Sequence, residues 1–195
     1  MKKILVLILF VSINAVGFAQ WSIGLRDNRY GNVAYELNNK LEFKLEHSLF
    51  SEKLQFQYVR ANVGYKQTIK KVSLMGTIYG GTIYNGDFYN VGLNVTAEYK
   101  PIDRFKIEAA INPHYDSGYD YSTCYQGGVW FNAYKALSIV ASVSNIPEYR
   151  KAEDRAYLGL SFEVGPLCVS PRVSIPIEDS SVKSMRVLTS VQYKF

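Results

Sequence analysis

Apolar and polar side chains alternate along most of the chain from residue 20 onward. In one stretch Leu41, Phe43 and Leu45 alternate with Glu42 and Lys44. Successive side chains of a strand point to opposite faces, so this period of two predicts strands with one apolar and one polar face. We predict twelve such strands, at roughly 21–27, 31–37, 41–50, 54–66, 72–84, 88–99, 104–115, 122–134, 136–145, 155–165, 167–177 and 184–195. Most reach the roughly 9–11 residues that a tilted strand needs to cross a membrane.

The predicted connections fall into two classes. Short turns are predicted at Asn38-Asn39, Ile69-Lys70, Pro101-Ile102, Lys135-Ala136 and Gly165-Pro166. The others, several of them longer and more polar, are Ser51 to Lys53, Asn85 to Asp87, Asp116 to Tyr121, Ile146 to Asp154 and Glu178 to Lys183. We therefore expect an all-β fold, a single antiparallel up-and-down transmembrane β-barrel of about 12 strands (range about 8–14), with both termini at the short-turn end.

Two hairpins have a predicted register, and the first opposes two carboxylates. A turn at Asn38-Asn39 sets Glu36 directly opposite Glu42, and like charges in that position are unfavourable. We expect a cation, Lys44 or Arg26, to intervene, or one carboxyl group to hold its proton.

A turn centred on Ile102 gives the second register. It pairs Glu98 with Lys106 toward the interior and Tyr99 with Phe105 toward lipid. A slip by one residue would turn Lys106 toward lipid, at a cost of up to about 2–4 kcal/mol at mid-depth. Glu98 and Lys106 are therefore predicted to be cross-strand neighbours.

A change of parity within the fourth segment predicts a β-bulge. Leu54, Phe56 and Tyr58 carry the apolar pattern first, whereas Val59 and Ala61 carry it afterwards. A one-residue slip of this kind inside a strand is what a bulge accommodates.

Aromatic residues on the apolar parity are predicted to form two belts, because aromatic rings favour the two membrane interfaces. The belt beside the short turns and termini would contain Trp21, Tyr65, Tyr99, Phe105, Tyr193 and Phe195. The belt beside the longer loops would contain Phe56, Tyr84, Tyr89, Tyr115 and Tyr125. A soluble barrel has no reason to segregate its aromatic residues in this way.

Residues 1–19 have the features of a cleaved signal peptide. Met1-Lys2-Lys3 gives a positive start, an apolar run from Ile4 to Val11 follows, and Gly17-Phe18-Ala19 fits a cleavage site. Removal of this segment leaves 195 − 19 = 176 residues, one barrel domain at 20–195, and lowers the formal net charge from +5 to about +3. This weak basic balance, with no basic cluster interleaved with aromatic residues, predicts no nucleic-acid partner.

The final segment, 185–195, ends on Phe195 and carries Val187, Val191 and Tyr193 on the same face. It resembles the closing strand of Gram-negative outer-membrane β-barrel proteins, whose assembly machinery recognises an aromatic-ended strand. The resemblance implies an outer-membrane location with periplasmic termini, contact with outer-membrane lipid, and biogenesis through the barrel-assembly machinery, with Tyr193 and Phe195 as the assembly signal. A secreted soluble β-barrel binding protein is one alternative.

The polar parity assigns a set of charged residues to the barrel interior. They are Arg26, Glu36, Glu42, Lys44, Glu46, Arg60, Glu98, Lys106, Glu108, Glu163, Arg172 and Arg186. Charged groups are costly against lipid but tolerated in a wet lumen, where they can pair. Two interpretations stay open: a narrow, porin-like pore for small polar or mildly anionic solutes, and a salt-bridged interior with a structural role only.

We predict no catalytic site, no metal site and no cofactor. A lipid-modifying outer-membrane enzyme, the second alternative, would need a serine beside the lipid-facing His47, and the predicted neighbours such as Phe56 include no nucleophile. His114 lies near Asp116 and Asp120, but no ligand spacing typical of a metal site accompanies it.

The two cysteines, Cys124 and Cys168, fall on predicted strands that are not adjacent. A disulfide needs Cα atoms within about 7 Å, so two free, packed thiols are expected.

Overall fold

The computed structural model describes residues 19–49, 57–145, 154–177 and 185–195. Within them the chain forms twelve strands. They are β1 (Ala19–Arg26), β2 (Tyr30–Leu37), β3 (Leu41–Ser48), β4 (Tyr58–Ile69), β5 (Val72–Ile83), β6 (Tyr89–Ile102), β7 (Phe105–Asp116), β8 (Asp120–Tyr134), β9 (Leu137–Ser144), β10 (Arg155–Val164), β11 (Leu167–Pro176) and β12 (Arg186–Lys194). The predicted signal peptide, apart from Ala19, lies outside the described residues.

The strands form one closed antiparallel barrel. Each strand pairs with its neighbours in the sequence, and β1 pairs with β12 to close the sheet. The predicted all-β, up-and-down barrel of twelve strands is therefore confirmed. No helix in the described ranges has the length and apolar character needed to span a membrane.

Burial follows the alternation of the sequence but is inverted relative to a soluble domain. Outward side chains are apolar and exposed, as in Ile78 at 69% and Leu45 at 52% exposure. Interior side chains include the buried Ser174 and Glu46, at 0% and 1%. A barrel that is apolar outside and polar inside fits hydrocarbon around it, and this arrangement argues against a soluble barrel with an apolar interior.

The connections at one end of the barrel, the short-turn end, are tight. Asn38 and Asn39 have φ angles of 53° and 54°, and the left-handed region suits asparagine in a two-residue hairpin turn. Gly165 has φ 58°, which a residue without Cβ adopts at little cost. The turn predicted at Ile69-Lys70 lies one residue later, at Lys70-Lys71. The other end is called the long-loop end below; the segments 49–57, 145–154 and 177–185 connect strands there.

The predicted register of the β6–β7 hairpin is wrong by two residues. The turn lies at Asp103-Arg104, and a bulge between Tyr99 and Ile102 shifts the pairing so that Glu98 lies opposite Glu108. Pro101 falls inside this bulge, which suits a residue that cannot donate a ladder hydrogen bond. An even shift keeps every side chain on its predicted face.

The β-bulge predicted between Tyr58 and Val59 is also wrong. β4 pairs with β5 without a shift from Tyr58 to Ile69, so Tyr58 lies on the interior face rather than the lipid face. Its hydroxyl donates to Oδ1 of Asn90 at 2.7 Å, and Gly81 beside it leaves room for the ring. The hydrogen bond to Asn90 and the space beside Gly81 therefore favour the interior position of Tyr58, although the local apolar pattern predicts the lipid face. The preceding residues 50–56, including Phe56 of the predicted belt, lie outside the described residues.

Outward-facing aromatic rings contact one another near both ends of the barrel. The ring centroids of Trp21 and Tyr35 are 4.8 Å apart at the short-turn end. Near the long loops, Tyr115 lies 6.1 Å from Tyr89 and 5.0 Å from Tyr121. Such amphipathic rings suit the interfacial zone of a bilayer.

The difference between the two ends gives a prediction for orientation. If the long loops face outward, trypsin applied to intact cells should cut at Arg150 or Lys151, between β9 and β10. Arg104 is an exposed trypsin site in a turn at the opposite end, so it should be cut only after permeabilisation. Mass spectrometry of the fragments would identify the sites, and cleavage at Arg104 in intact cells would contradict this orientation.

Candidate functional site: the charged interior

Closure of the sheet determines which charged side chains meet. The pairing register places every charged residue suggested by the sequence on the face that points into the barrel. These residues are Arg26, Glu36, Glu42, Lys44, Glu46, Arg60, Glu98, Lys106, Glu108, Glu163, Arg172 and Arg186. They do not form one site; the structure divides them into groups along the wall.

The Glu46 cluster, formed by Glu46, Arg26, Lys44 and Arg60, lies across β1, β3 and β4. Oε1 of Glu46 accepts from Nε of Arg26 at 3.1 Å and lies 3.0 Å from Nζ of Lys44. Oε2 accepts from Nε of Arg60 at 2.9 Å and from its Nη2. The Glu46 side chain is 1% exposed, so these three cations replace its lost hydration.

Asp27 links this cluster to the far side of the closing seam. Its Oδ1 accepts from Nη2 of Arg172 at 2.6 Å, and its Oδ2 lies 3.7 Å from Nη1 of Arg26. The backbone N–H of Asp27 also donates to Oγ of Ser190. The sequence prediction missed Asp27 because it lies in a turn and meets Arg172, 145 residues away, only once β1 has paired with β12.

A second group lies near the short-turn end. Nζ of Lys106 is 3.1 Å from Oε2 of Glu108 and 3.6 Å from Oε1 of Glu98, so the predicted neighbours Glu98 and Lys106 do meet, on a diagonal. The same Nζ lies 3.9 Å from the ring centroid of Trp130, a cation–π geometry. Lys106 thus holds the two opposed carboxylates together.

The remaining candidates stand apart from these clusters. Glu36 lies directly opposite Glu42, as predicted. Glu163 is exposed near the short-turn end, and Arg186 lies half-buried opposite Ser174.

Arg155 is a buried interior cation that the sequence prediction put at the start of a strand but not among the interior candidates. Its side chain lies at the start of β10, is 2% exposed, and donates from Nε to Oγ of Ser174 at 2.6 Å. The local sequence does not record this burial, because it depends on the partner strand β11.

Aromatic rings on the interior face support the arginines. The guanidinium of Arg60 lies 5.0 Å from the ring centroid of Tyr79, and that of Arg172 lies 4.7 Å from Tyr157. Stacking fixes the guanidinium plane while leaving its edge free to bind carboxylates.

His114 faces the interior beside the long-loop end. Its Nδ1–H donates to the backbone carbonyl of Asn112 at 3.0 Å, and its Nε2 lies within hydrogen-bond distance, 2.8 Å, of the Ser122 hydroxyl oxygen. Oδ2 of Asp116 is 3.5 Å from Nε2, and Asp120 pairs with Asp116. The contact between Ser122 and His114 thus ties β8 to β7.

His47 lies on the outward face, where its ring centroid is 5.6 Å from that of Tyr84. Its cross-strand partners are Gly31 and Val59, and the predicted neighbour Phe56 lies outside the described residues. Both cysteines are free; Cys124 is buried and Cys168 is half-buried. Within the described ranges, no three His, Cys, Asp or Glu side chains are placed to hold a metal ion.

Comparison with solved structures supports the fold. The KdgM porin, solved in complex with disordered oligogalacturonate, aligns with a TM-score of 0.69 at 10% identity, over 91% of this chain and 98% of the porin. The NanC porin aligns with a TM-score of 0.55 at 10% identity, over 90% and 97%. No protein-family model and no curated protein matches the sequence. The chain therefore has the fold of small outer-membrane porins, as the resemblance of its final strand implied.

Two carboxylates on β3 should respond oppositely to neutralisation. Glu46→Gln leaves three cations without their anion and is expected to lower the free energy of unfolding by roughly 1–3 kcal/mol, less than for a fully buried network because the cations remain partly hydrated. Glu42→Gln relieves repulsion with Glu36 and should be neutral or slightly stabilising.

Urea unfolding of the protein refolded into lipid vesicles would compare the two variants, which carry the same chemical change on the same strand. A larger loss for Glu42→Gln than for Glu46→Gln would contradict the assignment of the ion pairs.

Proposed function

We propose that this protein is an outer-membrane channel through which small polar solutes diffuse. The observation that carries the proposal is the partial exposure of charged side chains inside a closed barrel. The exposed fractions are 36% for Arg26, 34% for Arg172, 26% for Lys44, 25% for Arg60 and 24% for Lys106. A packed interior would strip these ions of water at a cost of several kcal/mol each, whereas a wet lumen would not.

The strand number supports a narrow passage. Barrels of about 8 strands are filled by their own side chains, and those of about 16–18 strands leave a wide aqueous channel. Twelve strands lie between these limits. Since long charged side chains occupy part of the interior, we expect passage of small solutes and exclusion of large ones.

The lining favours solutes that can exchange hydrogen bonds with ions. Arg172 and Arg26 present partly exposed guanidinium groups, which bind carboxylates in a planar geometry. The structurally similar KdgM porin was solved with an oligogalacturonate, a polymer of acidic sugars. Both facts support polar or mildly anionic solutes for this channel, although Glu46 and Asp27 already neutralise part of the cationic charge.

The proposal also covers the cellular location of the protein. Residues 1–19 would direct export and then be removed, and both termini would lie in the periplasm. The barrel-assembly machinery would recognise Tyr193 and Phe195. The outward apolar face of the barrel would contact outer-membrane lipid.

Passive diffusion requires no catalytic group, and the proposed role is non-enzymatic. A lipid-modifying enzyme would require a nucleophile beside His47 on the outer face. The described outward neighbours of His47 are Gly31, Val59 and Tyr84, and none of them is a serine.

Single-channel recording in planar bilayers tests the proposal. Refolded protein should produce discrete conductance steps in potassium chloride, and proteoliposomes should swell in small neutral solutes. Well-folded protein that inserts but gives neither conductance nor swelling would show that the interior is closed and the barrel purely structural.

Removing lumen cations should change the ion selectivity of the channel. The double variant Arg26→Gln with Arg172→Gln is expected to lower the chloride-to-potassium permeability ratio by about twofold, because the local concentration of anions follows the local potential. Reversal potentials in a salt gradient give the ratio. Lys40→Gln removes a charge from an exposed turn and serves as the control. An unchanged ratio in the double variant would contradict the assignment of these arginines to the lumen.

A further inference from the structure

The charges of the interior are separated between two walls. We call the interior face of β10–β12 and β1–β4 the basic wall and that of β5–β9 the acidic wall. Among the described residues the basic wall has eight cations against five anions, a net charge of +3: Arg26, Lys44, Arg60, Lys66, Arg155, Arg172, Arg186 and Lys194 against Asp27, Glu36, Glu42, Glu46 and Glu163. The acidic wall has two cations against four anions, a net charge of −2: Lys100 and Lys106 against Glu98, Glu108, Asp116 and Asp120.

The two walls face each other across the lumen. In a closed barrel of twelve strands, strands six positions apart lie on opposite sides, so β7 lies across from β1 and β8 across from β2. Arg26 is the last residue of β1, and Asp116 is the last residue of β7. Both therefore lie next to the long loops, and a cation of one wall lies across from an anion of the other.

The separation is strongest at this long-loop mouth. Arg186 begins β12 there, on the strand next to Arg26, and Arg155 begins β10 two strands further along, whereas Asp116 and Asp120 lie at the corresponding ends of β7 and β8. The cations of the acidic wall, Lys100 and Lys106, lie at the opposite end, where Lys106 contacts Glu98 and Glu108. The mouth thus has three arginines and Asp27 on one side and two aspartates on the other.

Each wall also has hydrogen-bonding capacity that its described neighbours do not use. Oδ1 of Asp116 accepts no hydrogen bond, and Nε of Arg172 donates none, among the part of the chain that the structure describes. Both atoms are themselves buried, so a solute in the lumen would meet the neighbouring atoms of these two side chains. Their exposed neighbouring atoms lie on opposite walls, since the Asp116 side chain is 20% and that of Arg172 34% exposed.

We propose that the lumen is selective for small zwitterions, solutes such as amino acids that carry a carboxylate and an ammonium group a few ångströms apart. This inference rests on the proposed channel function and specifies its substrate class. The solute would align across the lumen, with its carboxylate toward the basic wall and its ammonium toward the acidic wall.

The physical reason for this selectivity is that two walls of opposite net charge create an electric field directed across the lumen. A simple anion is attracted by one wall and repelled by the other, so the nearly balanced total charge gives it little advantage. A zwitterion of the right orientation is attracted by both walls. In a narrow lumen the walls lie within or near the Debye length of about 8 Å at physiological salt, so the field is only partly screened. A neutral solute of the same size gains nothing from it.

Swelling of proteoliposomes containing the full mature chain tests the inference. The probes are 4-aminobutyrate, with opposite charges at its two ends, and erythritol, a neutral solute of similar size. We expect the 4-aminobutyrate rate to exceed the erythritol rate by at least about twofold, because electrostatic focusing raises local solute concentration. The ratio of the two rates cancels differences in the amount of protein inserted.

Two double variants weaken the electric field by neutralising charges on opposite walls. Asp116→Asn with Asp120→Asn neutralises the acidic side of the mouth, and Arg26→Gln with Arg172→Gln neutralises part of the basic wall. Each is expected to lower the rate ratio toward one. Asp87→Asn makes the same chemical change in an exposed connection and should leave the ratio as in the unmodified protein.

The outcomes separate this inference from the proposed function. No swelling in either solute would overturn the channel itself. Swelling in erythritol with a rate ratio of one or less, or a ratio that the aspartate variant does not lower, would overturn zwitterion selectivity and leave the channel standing. Since Arg172 also contacts Asp27 at the seam, folding of both variants is checked by the heat-dependent gel shift of the barrel. If the arginine variant misfolds, the aspartate variant decides.

Discussion

Closure of the sheet between β1 and β12 is the constraint on which the rest of the structure depends. Hydrocarbon offers no partner to a backbone N–H or C=O group, so a spanning sheet must pair both of its edges. The seam pairs Ser22–Leu25 with Val191–Lys194. It continues through the N–H of Asn28, which donates to the carbonyl of Thr189, and that of Phe195, which donates to Trp21. Closure also brings Asp27 against Arg172, so the same event completes the interior charge network.

Once the barrel is closed, the alternation of side chains creates two environments with opposite demands. The outer face must be apolar, whereas each charged side chain in the interior needs an ion-pair partner, a hydrogen bond or water. The Glu46 side chain is nearly unexposed, and its carboxylate contacts three cations in place of water. The cations themselves remain partly exposed, and this difference is what makes the interior a lumen rather than a core. Fixed carboxylates hold the arginines in place, and the accessible edges of the arginines face the passage.

The sequence was most informative about the side to which each residue points. Period-two alternation predicted the strands and interior candidates such as Glu98 and Lys106, because a face is unchanged by an even shift of register. The same property explains the wrong register at that hairpin, where a bulge at Pro101 moved the pairing by two residues without changing a face. Tyr58 and Asp27 were misjudged or missed because their partners come from distant strands, and no local pattern records those contacts.

The central claim, that the charged interior is a water-accessible lumen, is tested most directly by cysteine accessibility at two adjacent positions. In a chain with Cys124→Ser and Cys168→Ser, Thr96→Cys faces the interior and Val95→Cys faces outward on the same strand, β6. The proteins are reconstituted in lipid vesicles and treated with a charged, membrane-impermeant thiol reagent. The structure predicts rapid modification at position 96 and protection at position 95. Protection at both positions would contradict a wet lumen, and modification at 95 alone would contradict the assignment of the faces.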